Sequence, residues 1–174
     1  MELENKILSR EIQENLYSMG KTLATAESCT GGRVAQAIIA VPGASDYFKG
    51  GIICYTNEIK EHLLGVSAEL IEEKTAVCEE VAVEMVKGAV KALNTDYAVA
   101  VTGIAGPGGG TKDIPVGTIW VACGSADHVI TCLLTDDQGR DINLSNATSK
   151  ALQLLLEFLT EYNPKPAEKD EDFV

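Results

Sequence analysis

The chain has 174 residues, 45% of them apolar, a formal net charge of -12, five cysteines and two histidines. That length suits one α/β domain with a substantial core and leaves a second full domain cramped, while the negative field repels phosphate polymers and argues against nucleic acid or an anionic membrane as the main partner. Scattered cysteines with no C-x-x-C pair fit a reducing cytoplasm, and the start "MELENKILSR" lacks the basic and apolar regions of a signal peptide, so a soluble cytoplasmic protein is expected.

In chain order, Leu3, Ile7, Leu8, Ile12, Leu16 and Met19 recur at helical spacing, and Gly20 supplies a stop. Residues 22–27, "TLATAE", read as a short strand, 31–41 as a helix and "PGAS" at 42–45 as a turn. "GGIICYT" at 50–56 reads as a second, buried strand, followed by the helix "NEIKEHLLG", with Asn57 as its N-cap and Gly65 as its end. Residues 67–93 carry helical spacing twice, and "DYAVAVTG" at 96–103 has the continuous small apolar run of a central parallel strand. The segment 104–115, "IAGPGGGTKDIP", is too glycine-rich for regular structure. Strands at 116–124 and 128–135, joined by "SAD", predict an antiparallel hairpin, and 141–162 a closing helix. The polar, acidic tail at 163–174 predicts disorder. Alternating strands and helices with one hairpin predict a single three-layer α/β/α sandwich over 1–162, around a mixed sheet of about five strands.

In such a sheet ligands sit beyond the carboxyl ends of strands, and three chemically rich segments fall there: 28–32, 55–60 and 103–111. The glycine-rich segment fails as a Walker loop because Thr111 precedes Lys112, and no G-x-G-x-x-G leads from a strand into a helix. Its glycines make either a flexible loop or a backbone cradle for an anion. His62 and His128 lie in separate elements without metal-ligand spacing, so neither a metal site nor a histidine-based triad is expected.

A base must then come from elsewhere, and Lys60 is the candidate. In the first turn of its helix it meets the positive end of the dipole, which disfavours the ammonium form. Lowering a lysine from about 10.4 to about 7.5 takes roughly 4 kcal/mol, of which the dipole supplies about 0.3–1, so a dry pocket must supply the rest. The alternative is a solvated surface lysine. Ser28, just ahead of Gly31, is either an N-cap or a nucleophile beside free helix N–H groups, with Thr30 competing as the cap. Cys29 is either a thiol nucleophile or a small buried hydrophobe, and Tyr55 either a proton relay or a core aromatic.

Together, "TLATAESCTGGRVA", "VPGAS", "GGIICYTNEIK", "LLGV" and "AVAVTGIAGPGGGTKDIPVGTIW" resemble, in order and spacing, the CinA C-terminal domain family over residues 16–159. The resemblance implies hydrolysis of the carboxamide of nicotinamide mononucleotide, giving nicotinate mononucleotide and ammonia. It also implies Ser28 as nucleophile, Lys60 as base and Tyr55 as assistant, no cofactor, and a homo-oligomer. Thr30, Gly31, Gly32, Asn57, Gly103, Gly106, Gly108, Gly109 and Arg140 are the expected substrate contacts. Two departures from the family pattern remove positive charge where an anionic substrate could dock: "QGRDINLSNAT" keeps only Arg140 at the start of the last helix, and Ile114 stands where a lysine is usual. Two other readings predict different behaviour: a non-catalytic nucleotide-binding module, and a thiol enzyme built on Cys29.

Overall fold

The computed structural model describes residues 2–162. Five strands, β1 (Leu23–Glu27), β2 (Phe48–Ile53), β3 (Tyr97–Gly103), β4 (Ile119–Gly124) and β5 (Val129–Leu134), form one mixed sheet in the order β2-β1-β3-β4-β5. β1 runs parallel to both β2 and β3, whereas β4 is antiparallel to β3 and β5. Helices α1 (Glu2–Met19), α2 (Arg33–Ile39) and α6 (Arg140–Glu157) cover one face, and α3 (Asn57–Leu64), α4 (Ala68–Lys74) and α5 (Glu79–Leu93) the other. The expected three-layer α/β/α architecture with a mixed sheet is therefore the architecture of the chain. The acidic tail lies outside the described residues.

Alternation along the strands divides the core in two. Leu23, Val99, Val101 and Val121 face α1, α2 and α6, while Ala24, Ala26, Ala98 and Ala100 face the layer of α5, which carries Val81, Met85, Val86 and Ala89. The alanines on that second face leave room for the helix to come close to the sheet. Every β1 residue is buried, because strands flank it on both sides and helices cover both faces.

The structure corrects four local expectations. β2 starts at Phe48 and is half-buried in alternation, because the chain crosses to the outside of β1 and leaves β2 an edge strand. The buried residues of α1 are Ser9, Ile12, Asn15 and Leu16, while Leu3 and Ile7 are exposed; Ser149 Oγ donates to half-buried Asn5 Oδ1 at 2.8 Å, and Ser9 Oγ to the Ala37 carbonyl at 2.9 Å. Polar contacts thus decide which face of that end docks. β4 starts at Ile119 because Thr118 N–H turns back to the Pro115 carbonyl. The closing helix runs from Arg140 to Glu157 and finishes in a π-helical turn, Phe158–Tyr162, on which His128 stacks.

A candidate active site at the strand ends

Register brings the carboxyl ends of the three parallel strands side by side, with Glu27 opposite Ile53 on one flank and Val101 on the other. The chain leaves β1 at Ser28, whose N–H donates to the Val101 carbonyl at 2.9 Å, and turns into α2 through Gly31 and Gly32, both with positive φ. The Ser28 side chain is buried.

Leaving β2, the chain enters α3 through Thr56, not Asn57. The Thr56 hydroxyl accepts from Ile59 N–H at 3.3 Å, so Thr56 is the cap and Asn57 the first helical residue, exposed to solvent. Both residue types cap well, and the extended φ and ψ of Thr56 settle the choice. The cap still sets Lys60 at the end of the first turn, pointing back under the sheet edge.

Lys60 is 1% exposed, its Nζ lies 3.0 Å from Ser28 Oγ, and it donates to the Cys54 carbonyl at 2.8 Å. The ion pairs of the described residues join Lys6 to Glu2, Lys21 to Asp96 and Lys74 to Glu80, so none supplies Lys60 with a carboxylate. Burial pushes its amine below the ordinary lysine value, against a smaller opposing influence of the nearby Cys54 and Cys29. A neutral amine at this point has a lone pair to accept the Ser28 proton and an N–H to hold the Cys54 carbonyl.

Cys29 is buried, and burial raises its thiol to about 11. At neutral pH it is a thiol and not the thiolate that a cysteine nucleophile needs. Tyr55 is 59% exposed and its hydroxyl makes none of the hydrogen bonds of the Ser28–Lys60 pair.

Glu27 is the feature that sequence reasoning missed. It is 1% exposed, and its carboxylate accepts from the N–H groups of Gly32 at 3.1 Å, Val34 at 3.0 Å and Ala35 at 2.9 Å. Neither Ser28 nor Thr30 caps α2; Gly32 is the N-cap by backbone conformation, with no cap bond from a side chain of its own. An acid closing an otherwise apolar strand was the available signal. Of the N–H groups at this helix start, that of Gly32 is committed to Glu27 and that of Gly31 to the Ser28 carbonyl, so neither is free to face an oxyanion.

The glycine-rich segment is anchored at its base. Ile104 N–H donates to the Thr118 carbonyl and Gly117 N–H to that of Ile104, while Arg140 Nη1 holds the Gly106 carbonyl at 2.7 Å and Asn143 Nδ2 the Ala105 carbonyl at 3.1 Å. Gly103 ends β3 against Ile119, where a Cβ would come within 2.6 Å of the Ile119 Cα, so its small size serves strand packing. Gly106 has φ +84, and a Cβ there would meet Val116 at 2.4 Å. Gly108 has open space, and Gly109 lies 3.6 Å from Ile104 by the same measure. Arg140 is exposed, and its side chain contacts the loop at the Gly106 carbonyl.

Two surface concavities lie elsewhere. One of about 300 Å³ between α1, α2 and α6 is lined by Lys6, Arg33 and Gln36, and one of about 270 Å³ beyond β4 and β5 by Gly117, Asp136 and Asn143. Neither includes Ser28 or Lys60, so the candidate site rests on side-chain geometry and not on cavity size. Among the described residues no three or more His, Cys, Asp or Glu are grouped to hold a metal ion, and no helix is long and apolar enough to cross a membrane.

These features define a three-layer α/β protein with a buried serine–lysine pair at the ends of its parallel strands. The chain belongs to the CinA C-terminal domain family, whose model matches residues 5–159. It is 44% identical over 149 residues to the nicotinamide-nucleotide amidohydrolase PncC of Escherichia coli K12, covering 85% of this chain and 90% of that one. Among solved structures, the competence damage-inducible protein A of Klebsiella pneumoniae superposes with a TM-score of 0.87 at 32% identity, covering 91% of this chain and 98% of that one. The competence/damage-inducible protein CihA of Agrobacterium tumefaciens gives 0.85 at 35% identity, covering 88% and 94%.

Proposed function

We propose that the chain is a nicotinamide-nucleotide amidohydrolase in which Ser28 is the nucleophile and Lys60 its base. The observation that carries this reading is the 3.0 Å separation of Ser28 Oγ from a buried lysine amine that no carboxylate among the described residues neutralises. Neutral Lys60 takes the Ser28 proton as Oγ attacks the carboxamide carbon of nicotinamide mononucleotide. The oxyanion forms against the N–H groups of Cys29 and Thr30. As the tetrahedral adduct collapses, the C–N bond breaks and Lys60 returns the proton to the departing nitrogen, which leaves as ammonia. Water, deprotonated by the same amine, then attacks the ester carbon and frees nicotinate mononucleotide and Ser28.

Tyr55 is exposed and follows Cys54, whose carbonyl holds Lys60, which supports a role in orienting the ring and assisting the leaving group once substrate is bound. Thr30, Gly31, Gly32 and Asn57 are assigned to contacts with the substrate on the Ser28 and Lys60 sides. Arg140 and the N–H groups of Gly108 and Gly109 receive the phosphate, while Gly103 and Gly106 act by shaping the loop. The reaction needs no cofactor, and the protein works as a soluble cytoplasmic homo-oligomer on this small nucleotide, with neither nucleic acid nor membrane as partner.

Ammonia release from nicotinamide mononucleotide tests the assignment. Ser28→Ala should bind the nucleotide, seen as a raised thermal midpoint, and release no ammonia. Undiminished release by Ser28→Ala refutes the mechanism, and thermal stabilisation of the unmodified protein with no ammonia at any pH converts the reading to a binding module.

A further inference from the structure

We propose that Glu27 is a positioning residue for the reaction: its buried carboxylate ties the first turn of α2 back to the end of β1 and so holds Ser28 at its working distance from Lys60. The inference rests on the reading of Ser28 and Lys60 given above.

Glu27 and Ser28 are consecutive at the end of an extended strand, so their side chains leave on opposite faces of the sheet. Glu27 follows Leu23 and Thr25 toward the layer of α2, and Ser28 follows Ala24 and Ala26 toward that of α3, where Lys60 waits. The turn between β1 and α2 spans five residues and contains two glycines with positive φ, a backbone with little stiffness of its own. Three N–H bonds to one carboxylate close that turn from the far side, two on Oε2 and one on Oε1. They occupy both oxygens with donors that would otherwise be orphaned at the start of a helix.

The same residue reaches the other half of the pair through its backbone. The Glu27 carbonyl accepts from Cys54 N–H at 2.9 Å, and the Cys54 carbonyl in turn accepts from Lys60 Nζ at 2.8 Å. One residue thus fixes the exit of β1 through its side chain and the exit of β2 through its main chain, and the serine and the lysine hang from those two exits. The carboxylate is also kept from the lysine, because its acceptor sites are filled on the opposite face. An acid free to turn toward Lys60 would hold the amine charged and remove the base.

The test compares Glu27→Gln and Glu27→Asp with the unmodified protein in steady-state ammonia release from nicotinamide mononucleotide, beside Ser28→Ala. The glutamine side chain keeps the volume but turns an NH2 toward a backbone N–H; aspartate keeps the acceptors but falls one methylene short. Expected are kcat values lowered by about 10–100-fold for glutamine and less for aspartate, KM within threefold, and labelling of Ser28 by a fluorophosphonate slowed by the same factor as kcat. A purely stabilising residue would lower the melting temperature and leave kcat and the labelling rate of the folded protein unchanged, and that result overturns the proposal. If Glu27→Gln does not fold, Glu27→Asp is read by the same kcat, KM and labelling criteria. Ser28→Ala separates the two levels: turnover by that variant removes the underlying mechanism, whereas an inert Ser28→Ala beside Glu27 variants of normal kcat removes this inference alone.

Discussion

Replacing Lys60 with methionine should make the protein more stable while abolishing its activity, and the size of the effect follows from where the amine sits. Holding a lysine of ordinary value 10.5 neutral at pH 7, as the proposed base requires, costs about 5 kcal/mol relative to the unfolded chain, where it is charged. Methionine fills much the same volume without that cost. It loses the contacts to the Cys54 carbonyl and Ser28 Oγ, about 1 kcal/mol each. The expected net gain at pH 7 is therefore about 2–3 kcal/mol, an upper figure that shrinks if the amine is partly charged. The sign with pH is fixed by the direction of the shift: burial lowers the amine's folded value, so between that value and 10.5 the unfolded chain binds more protons and the unmodified protein gains stability as pH rises. Lys60→Met lacks this dependence, so its advantage is full below the folded value, falls by about 1.4 kcal/mol per pH unit above it, and reverses before pH 10.5. Urea denaturation at pH 6, 7, 8 and 9 measures it, with ammonia release on the same samples expected to fall by about 10²–10⁴. A Lys60→Met protein less stable than the unmodified one at pH 7, with a pH-independent difference, would refute the reasoning, because the amine would then be a charged, well-satisfied group and no base.

In the unmodified protein kcat should rise with pH along a single limb whose midpoint lies below 10.5, as Lys60 loses its proton; a rate falling over that range would contradict a neutral-amine base. Cys29→Ser should turn over within about threefold of the unmodified protein, since burial keeps the thiol protonated, and a large loss would return the thiol mechanism to contention. Thr56→Ala, which removes the cap from α3, should cost about 1 kcal/mol in thermal or urea unfolding and lower kcat as the first turn loosens around Lys60. Gly106→Ala should cost about 1–3 kcal/mol, measured the same way, because its Cβ would collide with Val116 on a left-handed backbone.

The reach of the sequence varies from element to element for identifiable reasons. The hairpin of β4 and β5, the two helices after Ser67, and the stop at Gly65 all follow from local signals, with the start of β4 displaced to Ile119. Strand order does not follow from local signals. "GGIICYT" reads as buried because of its isoleucines, yet its place outside β1 exposes Ile53 to 56%. The misreading of α1 has the same origin: Ser9 is polar in sequence but becomes interior once the Ala37 carbonyl faces it, and half-buried Asn5 is held toward α6 by Ser149. At the site, Ser28 and Lys60 could be named singly from residue type and helix position, but their 3.0 Å meeting is a product of sheet register. Glu27 offered one signal, an acid closing an otherwise apolar strand, but nothing in the sequence says that its partners are backbone N–H groups.

Register also sets a schedule for synthesis. Ser28 is tied by its main chain to Val101, and β1 is complete only when β3 lies along its second flank, more than seventy residues later in the chain. A nascent polypeptide emerging from the ribosome with serine and lysine both exposed still lacks the main-chain bond that orients Ser28. The machinery is encoded early but becomes competent late, after the third strand has cleared the exit tunnel and threaded home.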